Sequence, residues 1–281
     1  MVPSPAHKWN AALHRDSRLR YGATLGLSLS FILTASLNTI DKPVDLLLRW
    51  TVQRQGRGEA SLKAKNEALM EGQTVKHAPW SDLDLDAQRL RGVTLSDADL
   101  TRASLRTAQL EGVTITQSDL GGADLSGSRW TDAHLHQSDL DGATLSFSVW
   151  RSSVVDLSTL SDAVLTGATF DDVVLSRIDL QGANLSESRW SSVTLEDVNL
   201  SGANLSGTVL AGARLQQVDF TNADLTGADL RCVDLQYTDL TGATLTGADL
   251  RGALLDDASL DASTLDGTVR DDAYRCSIIA Y

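Results

Sequence analysis

The 281-residue chain holds only two cysteines, Cys232 and Cys276, and no C-x-x-C pair. It therefore carries no disulfide framework that spacing would reveal, and its redox compartment stays open. No lysine follows Lys76, so every Lys/Arg position beyond it is an arginine. No glycine-rich loop could cradle a phosphate, because the glycines are spread along the chain instead of clustering. Ser, Asp and His all occur, yet no spacing aligns a nucleophile with a base and an orienting acid. These absences read as a non-enzyme with no cofactor. Over most of the chain the 3.6-residue helix period and the two-residue strand period are missing as well.

A period of five stands in their place. From Leu85 to Leu265 every fifth residue is Leu, Ile, Val, Phe or Trp, without one slip of register. Two residues before each comes a small one, as at Ala98, Ala123, Ala183 and Ala248. Of the 16 glycines from Leu85 onward, all but Gly121 fall two residues after the large apolar position. Glycine at one fixed phase marks a corner that needs positive φ or a close backbone approach. Each pentapeptide is then a short extended side followed by a corner, and four sides close a square coil of twenty residues. Stacked at the strand spacing, the sides give an all-β solenoid of about nine coils, roughly 43 Å long. Its two open ends need caps.

A twenty-residue period supports the square. Trp130, Trp150, Phe170 and Trp190 fall on one side of such a coil, with Ser128, Ser148, Ala168 and Ser188 two residues before them. This predicts an inward aromatic ladder with offset stacking, in which each indole N–H needs an acceptor; a ligand-binding aromatic groove is the alternative. His134 and His136 flank Leu135 and point outward, with Asp156 one coil beyond His136. That is a surface histidine pair and not a metal site, which usually needs three or four convergent ligands.

The strict copies Ala98-Asp99-Leu100, Ala123-Asp124-Leu125, Ala183-Asn184-Leu185, Ala203-Asn204-Leu205, Ala223-Asp224-Leu225, Ala228-Asp229-Leu230 and Ala248-Asp249-Leu250 resemble the pentapeptide-repeat family. The resemblance covers about residues 81–268 and implies a right-handed quadrilateral β-helix. It says little of function, because a fold alone carries no site.

Charge divides the chain. Residues 1–80 hold 11 Lys/Arg against 6 Asp/Glu, and residues 81–281 hold 13 against 31. The acidic repeat repels nucleic acid and favours a cationic protein surface. Asp219, Asp224, Asp229, Asp234 and Asp239 lie at one phase of the repeat, where a carboxylate can accept corner N–H groups. Since successive sides face different ways, this run wraps the solenoid. Its carboxylates, with the exposed Arg129 and Arg189, are the candidate interaction surface; bridging acids on neighbouring coils is the structural alternative for the arginines.

Residues 1–80 are basic and read as mainly helical. Tyr21 to Ile40 is twenty residues without a charge, the length that spans a bilayer. It is a candidate membrane anchor, a helix packed on the solenoid end, or a cleaved signal. Further helices are expected after Pro43 and from Glu59 to Met70. Residues 269–281 read as a C-terminal cap, with Tyr274, Ile278 and Tyr281 at helical spacing. They are alternatively a homodimer contact, since gyrase-protecting members of the resembled family pair through that end.

The functional expectation is a bacterial, membrane-associated interaction scaffold that presents an acidic β-helix to a protein partner. The alternatives are a cytoplasmic DNA mimic binding a type II topoisomerase, as gyrase-protecting members do, and a translocated effector.

Overall fold

The computed structural model describes residues 71–271 and Cys276. The expected N-terminal helices, the Tyr21–Ile40 segment and Tyr274, Ile278 and Tyr281 lie outside the described residues.

The described chain is a quadrilateral parallel β-solenoid, with each side paired to the side twenty residues away. One sheet stacks Thr74–Lys76, Thr94–Ser96, Thr114–Thr116, His134–His136, Val154–Asp156, Val174–Asp179, Thr194–Asn199 and Arg214–Asp219 in that order. The other stacks Arg89–Arg91, Gln109–Glu111, Arg129–Thr131, Val149–Arg151, Thr169–Asp171 and Arg189–Ser191. Single parallel bridges form the remaining two sides, through series such as Asp99↔Asp119↔Asp139 and Ser104↔Asp124↔Thr144. We number the faces in chain order. The first carries Leu90, Leu110 and Trp130, and the second Leu95, Ile115 and Leu135. The third carries Leu100, Leu120 and Leu140, and the fourth Leu105, Leu125 and Leu145. The first face is thus opposite the third.

The corner explains the period. Every fifth residue from Gly72 to Gly267 has positive φ: 16 are glycine and 24 are not. Glycine takes this conformation freely, whereas Leu157 at φ 51° does so at a cost. The cost is met by cooperative pairing. At a typical coil Leu120 N–H donates to Asp139 O at 2.7 Å, Asp119 N–H to Ala98 O at 2.9 Å and Ala123 N–H to Leu120 O at 2.9 Å. At Gly242 a Cβ would come within 2.4 Å of Asn222 Oδ1, so a larger residue there would have to displace the Asn222 side chain as well as take the positive φ.

The small inward residues do more than make room. On the turn from the second face to the third, Ser118, Ser138 and Ser158 are buried, and their hydroxyls accept N–H groups of the preceding coil. Ala98 N–H donates to Ser118 Oγ at 3.1 Å, and Ser138 N–H to Ser158 Oγ at 3.0 Å. The next three residues of that column are Ile178, Val198 and Val218, which have no hydroxyl. There the strand runs through the corner, giving the six-residue strands Val174–Asp179, Thr194–Asn199 and Arg214–Asp219.

The aromatic ladder lies inside, behind the first face. Trp130 and Trp150 stack at 4.3 Å with planes 3° apart; Phe170 lies 6.1 Å from Trp150 and 4.4 Å from Trp190. Each indole N–H donates to the serine two residues before it: Trp130 to Ser128 Oγ at 2.8 Å, Trp150 to Ser148 at 2.9 Å and Trp190 to Ser188 at 2.7 Å. The ladder is therefore core, and the required acceptor is local. Trp80 shows the converse. It is fully buried, alanine occupies position 78, and its Nε1 has no partner.

Two substitutions test this pairing. Ser148→Ala should strand a buried indole N–H and cost about 1–3 kcal/mol. Ala78→Ser should supply the missing acceptor at Trp80 and stabilise by about 1 kcal/mol. Urea unfolding followed by tryptophan fluorescence reads both; equal effects of opposite sign at sites away from the indoles would refute the pairing.

Candidate interaction surface

The faces differ sharply in charge. Outward positions of the third face hold eight carboxylates, Asp99, Asp119, Asp139, Asp141, Asp179, Asp219, Asp239 and Asp261, and no basic residue. The first face, opposite, holds Arg89, Arg91, Arg129, Arg151, Arg189, Arg231 and Arg251 against Glu71, Glu111, Asp171, Asp229 and Asp249. The solenoid is thus polarised across its axis. The five-residue spacing hides this, because a run such as Asp219 to Asp239 visits all four faces, and only the twenty-residue period collects the charges by side. The run itself is built into the corners: Asp219 Oδ1 accepts Thr221 N–H at 2.8 Å, Asp224 accepts Thr226 N–H at 2.9 Å and Asp234 accepts Gln236 N–H at 3.0 Å. Asp229 and Asp239 accept from Arg231 and Thr241 in the same way.

The arginines fall into two groups. Arg91 grips Glu111, Arg102 grips Asp82 and Arg106 grips Asp86, each one coil away, while Arg231 and Arg251 fold onto Asp229 and Asp249. Arg89, Arg129, Arg151 and Arg189 are exposed and make no ion pair among the described residues. Arg129 and Arg189 thus do not bridge neighbouring coils; Arg91, Arg102 and Arg106 do.

On the second face, His136 Nδ1 lies 2.8 Å and His134 Nε2 3.5 Å from Asp156 Oδ1, and Arg177 reaches Asp156 Oδ2 at 3.4 Å. The guanidinium already occupies the carboxylate that a cation would need, and no group of three metal-ligating side chains forms among the described residues. Two cavities stand out. One is an apolar cavity of about 20 Å³ among Trp150, Phe170 and Leu175, large enough for about one water but lined by no polar group that would hold it. The other is a shallow open groove along Asp162, Gly182, Gly202 and Asn222. Neither encloses a substrate or aligns a reactive group.

Cys232 and Cys276 form a disulfide, with Cα atoms 5.7 Å apart. Their separation of 44 residues carries no sign of it. Cys232 takes a corner position, φ 60°, in a column with Gly212 and Gly252, and Cys276 Sγ lies 3.6 Å from Gly252 O. The bond ties Cys276 to the side of the last coils.

Such a solenoid defines a class of repeat protein whose variable side chains lie on its outer faces. The model for pentapeptide repeats matches eight copies within residues 81–148 and 158–269, and the chain belongs to that family. No curated protein matches it significantly. Among solved structures it is similar to HetL of the cyanobacterium Nostoc sp. strain PCC 7120, a pentapeptide-repeat protein involved in heterocyst differentiation regulation. Identity is 24% over 78% of this chain and 99% of that one, with a TM-score of 0.45. QnrB1, a plasmid-mediated fluoroquinolone resistance protein, is 22% identical over 64% of this chain and 90% of that one, at 0.39. A pentapeptide-repeat protein of the Arabidopsis thaliana thylakoid lumen is 26% identical over 42% of this chain and 75% of that one, at 0.23.

Corner donors hold several carboxyls below their ordinary value of 3.8: Thr101 at Asp99, Thr241 at Asp239, Arg102 at Asp82 and Arg251 at Asp249. A depressed native pKa stabilises fully above the unfolded value and is lost as pH falls through the native one. Stability should therefore decline as pH drops below 3.8, and Asp99→Asn with Asp239→Asn should flatten that decline in denaturant titrations. Separately, reducing the disulfide or substituting Cys276→Ser should lower stability by about 3–4 kcal/mol in loop-closure terms, read by urea unfolding with and without reductant.

Proposed function

We propose that the chain is a non-catalytic interaction scaffold whose third face receives a protein partner of positive surface potential. The observation that carries this is the row of eight carboxylates without a cation on one flat side. In-register parallel sides give a surface without projecting loops, and field lines from a single-sign face steer a cationic partner onto it. The face is presented by a backbone whose corners and core are fully committed to the fold, so the surface is rigid before binding.

The proposal places this scaffold at a membrane, on the oxidising side. The basic residues 1–80 and the uncharged Tyr21–Ile40 support association, and the Cys232–Cys276 bond supports the side, because structural disulfides persist in oxidising compartments. Among the described residues no helix is long and apolar enough to cross a membrane. The second reading, a cytoplasmic DNA mimic acting on a type II topoisomerase, draws on the same acidic face. The disulfide weighs against it.

Thiol trapping in intact cells separates the two. Protection of both cysteines until reductant is added fits the first reading, while immediate alkylation of both sends the protein to the cytosol and to a gyrase supercoiling assay. Partner capture is tested with a photo-crosslinking residue at Ser161 on the third face and, in a second protein, at Ser146 on the fourth. A heterologous adduct from Ser161 that disappears in the Asp119→Asn, Asp139→Asn, Asp179→Asn variant is expected. Equal adducts from both faces would overturn the assignment.

A further inference from the structure

The first face of one copy matches the third face of another. Set two solenoids side by side in the same orientation, and these opposite faces meet. Strands on opposite sides of a coil run in opposite directions, so the residue after a large apolar position on one face meets the residue before it on the other. Arg151, after Trp150, then meets Asp139, before Leu140. Arg129, before Trp130, meets Asp141, after Leu140. Trp130 and Trp150 are each half a coil from Leu140, an axial offset of about 2.4 Å that an arginine side chain spans easily. Leu140 is also the one large apolar position of the third face with an aspartate on both sides.

The four groups are available for this. Arg129, Arg151, Asp139 and Asp141 are all exposed, and neither arginine has an ion pair among the described residues. Asp139 and Asp141 spend Oδ1 on the N–H groups of Asp141 and Ser161, at 2.8 Å each, which fixes both carboxylates on the surface. The acidic excess of the solenoid opposes association only within the screening length, about 8 Å at physiological ionic strength, so charges far from the contact count little.

We infer that the β-helix self-associates laterally, with Arg129 and Arg151 of one copy astride Asp139 and Asp141 of the next. The contact joins two different faces, so it does not close on itself and generates stacks of level solenoids. The end copy of a stack still offers its third face, which leaves the scaffold role intact.

Sedimentation velocity of the purified full chain tests this without any other partner present. At about 0.15 M salt a concentration-dependent dimer and larger species are expected, dispersing at about 1 M. The Arg129→Glu, Arg151→Glu variant should weaken dimerisation by roughly tenfold or more. The Asp139→Arg, Asp141→Arg variant should do the same, and mixing the two should restore association, because each then meets an opposite charge. Circular dichroism and the tryptophan emission of the ladder confirm that both variants fold. A chain monomeric at every salt, association indifferent to either pair of substitutions, or no recovery on mixing would overturn the inference.

Discussion

Everything in this molecule depends on a backbone that turns left-handed at every fifth residue. A single such turn is unfavourable for most side chains, yet the solenoid makes it at 24 residues that are not glycine. What holds it is the coil above and the coil below. Corner N–H groups such as that of Gly122 and side N–H groups such as those of Asp119 and Leu120 find carbonyls on the adjoining coil, 19 or 21 residues away, so one turn is stable because its neighbours have turned identically. The exact repeat of the register, Thr94 on Thr114, Arg129 on Val149, Leu175 on Leu195, is the same constraint seen from the side.

That constraint divides the labour between positions. The large apolar residue fills the interior, and the small one either makes space or, as at Ser118, Ser128 and Ser138, supplies a hydroxyl that no backbone group could replace. The residue before the large one accepts a corner N–H, which is why Asp and Asn recur there. Little of the sequence remains free for anything else. The free positions are the outward ones beside the large apolar residues, and these carry the charge pattern that distinguishes one face from its opposite.

Among the described residues, what varies along this scaffold is its outer surface. The interior cavity among Trp150, Phe170 and Leu175 is apolar and only about 20 Å³, and the groove along Asp162 and Asn222 is shallow and open. A flat face with one sign of charge and an opposite face of mixed charge with an excess of arginine give the solenoid direction without any loop or pocket. The disulfide at Cys232 ties a segment beyond the repeat to the coils.

The amino-acid sequence alone determined the period, the corner, the square coil and the alignment of the aromatics in one column, because a five-residue phase crossed with a twenty-residue one closes only on four sides; that the column is buried core and not a groove came from the structure. It also placed His136 beside Asp156. Four further things came only from the tertiary structure. Arg177 joins that histidine pair through Asp156, from a corner one coil beyond Asp156 and 41 positions along from His136. Trp80 keeps an unpaired N–H because residue 78 has no hydroxyl. Cys232 meets Cys276 from outside the repeat, where no phase predicts position. The charge of each face appeared only when residues twenty apart were brought side by side, since neighbours in the chain point in different directions while neighbours in space are a full coil apart.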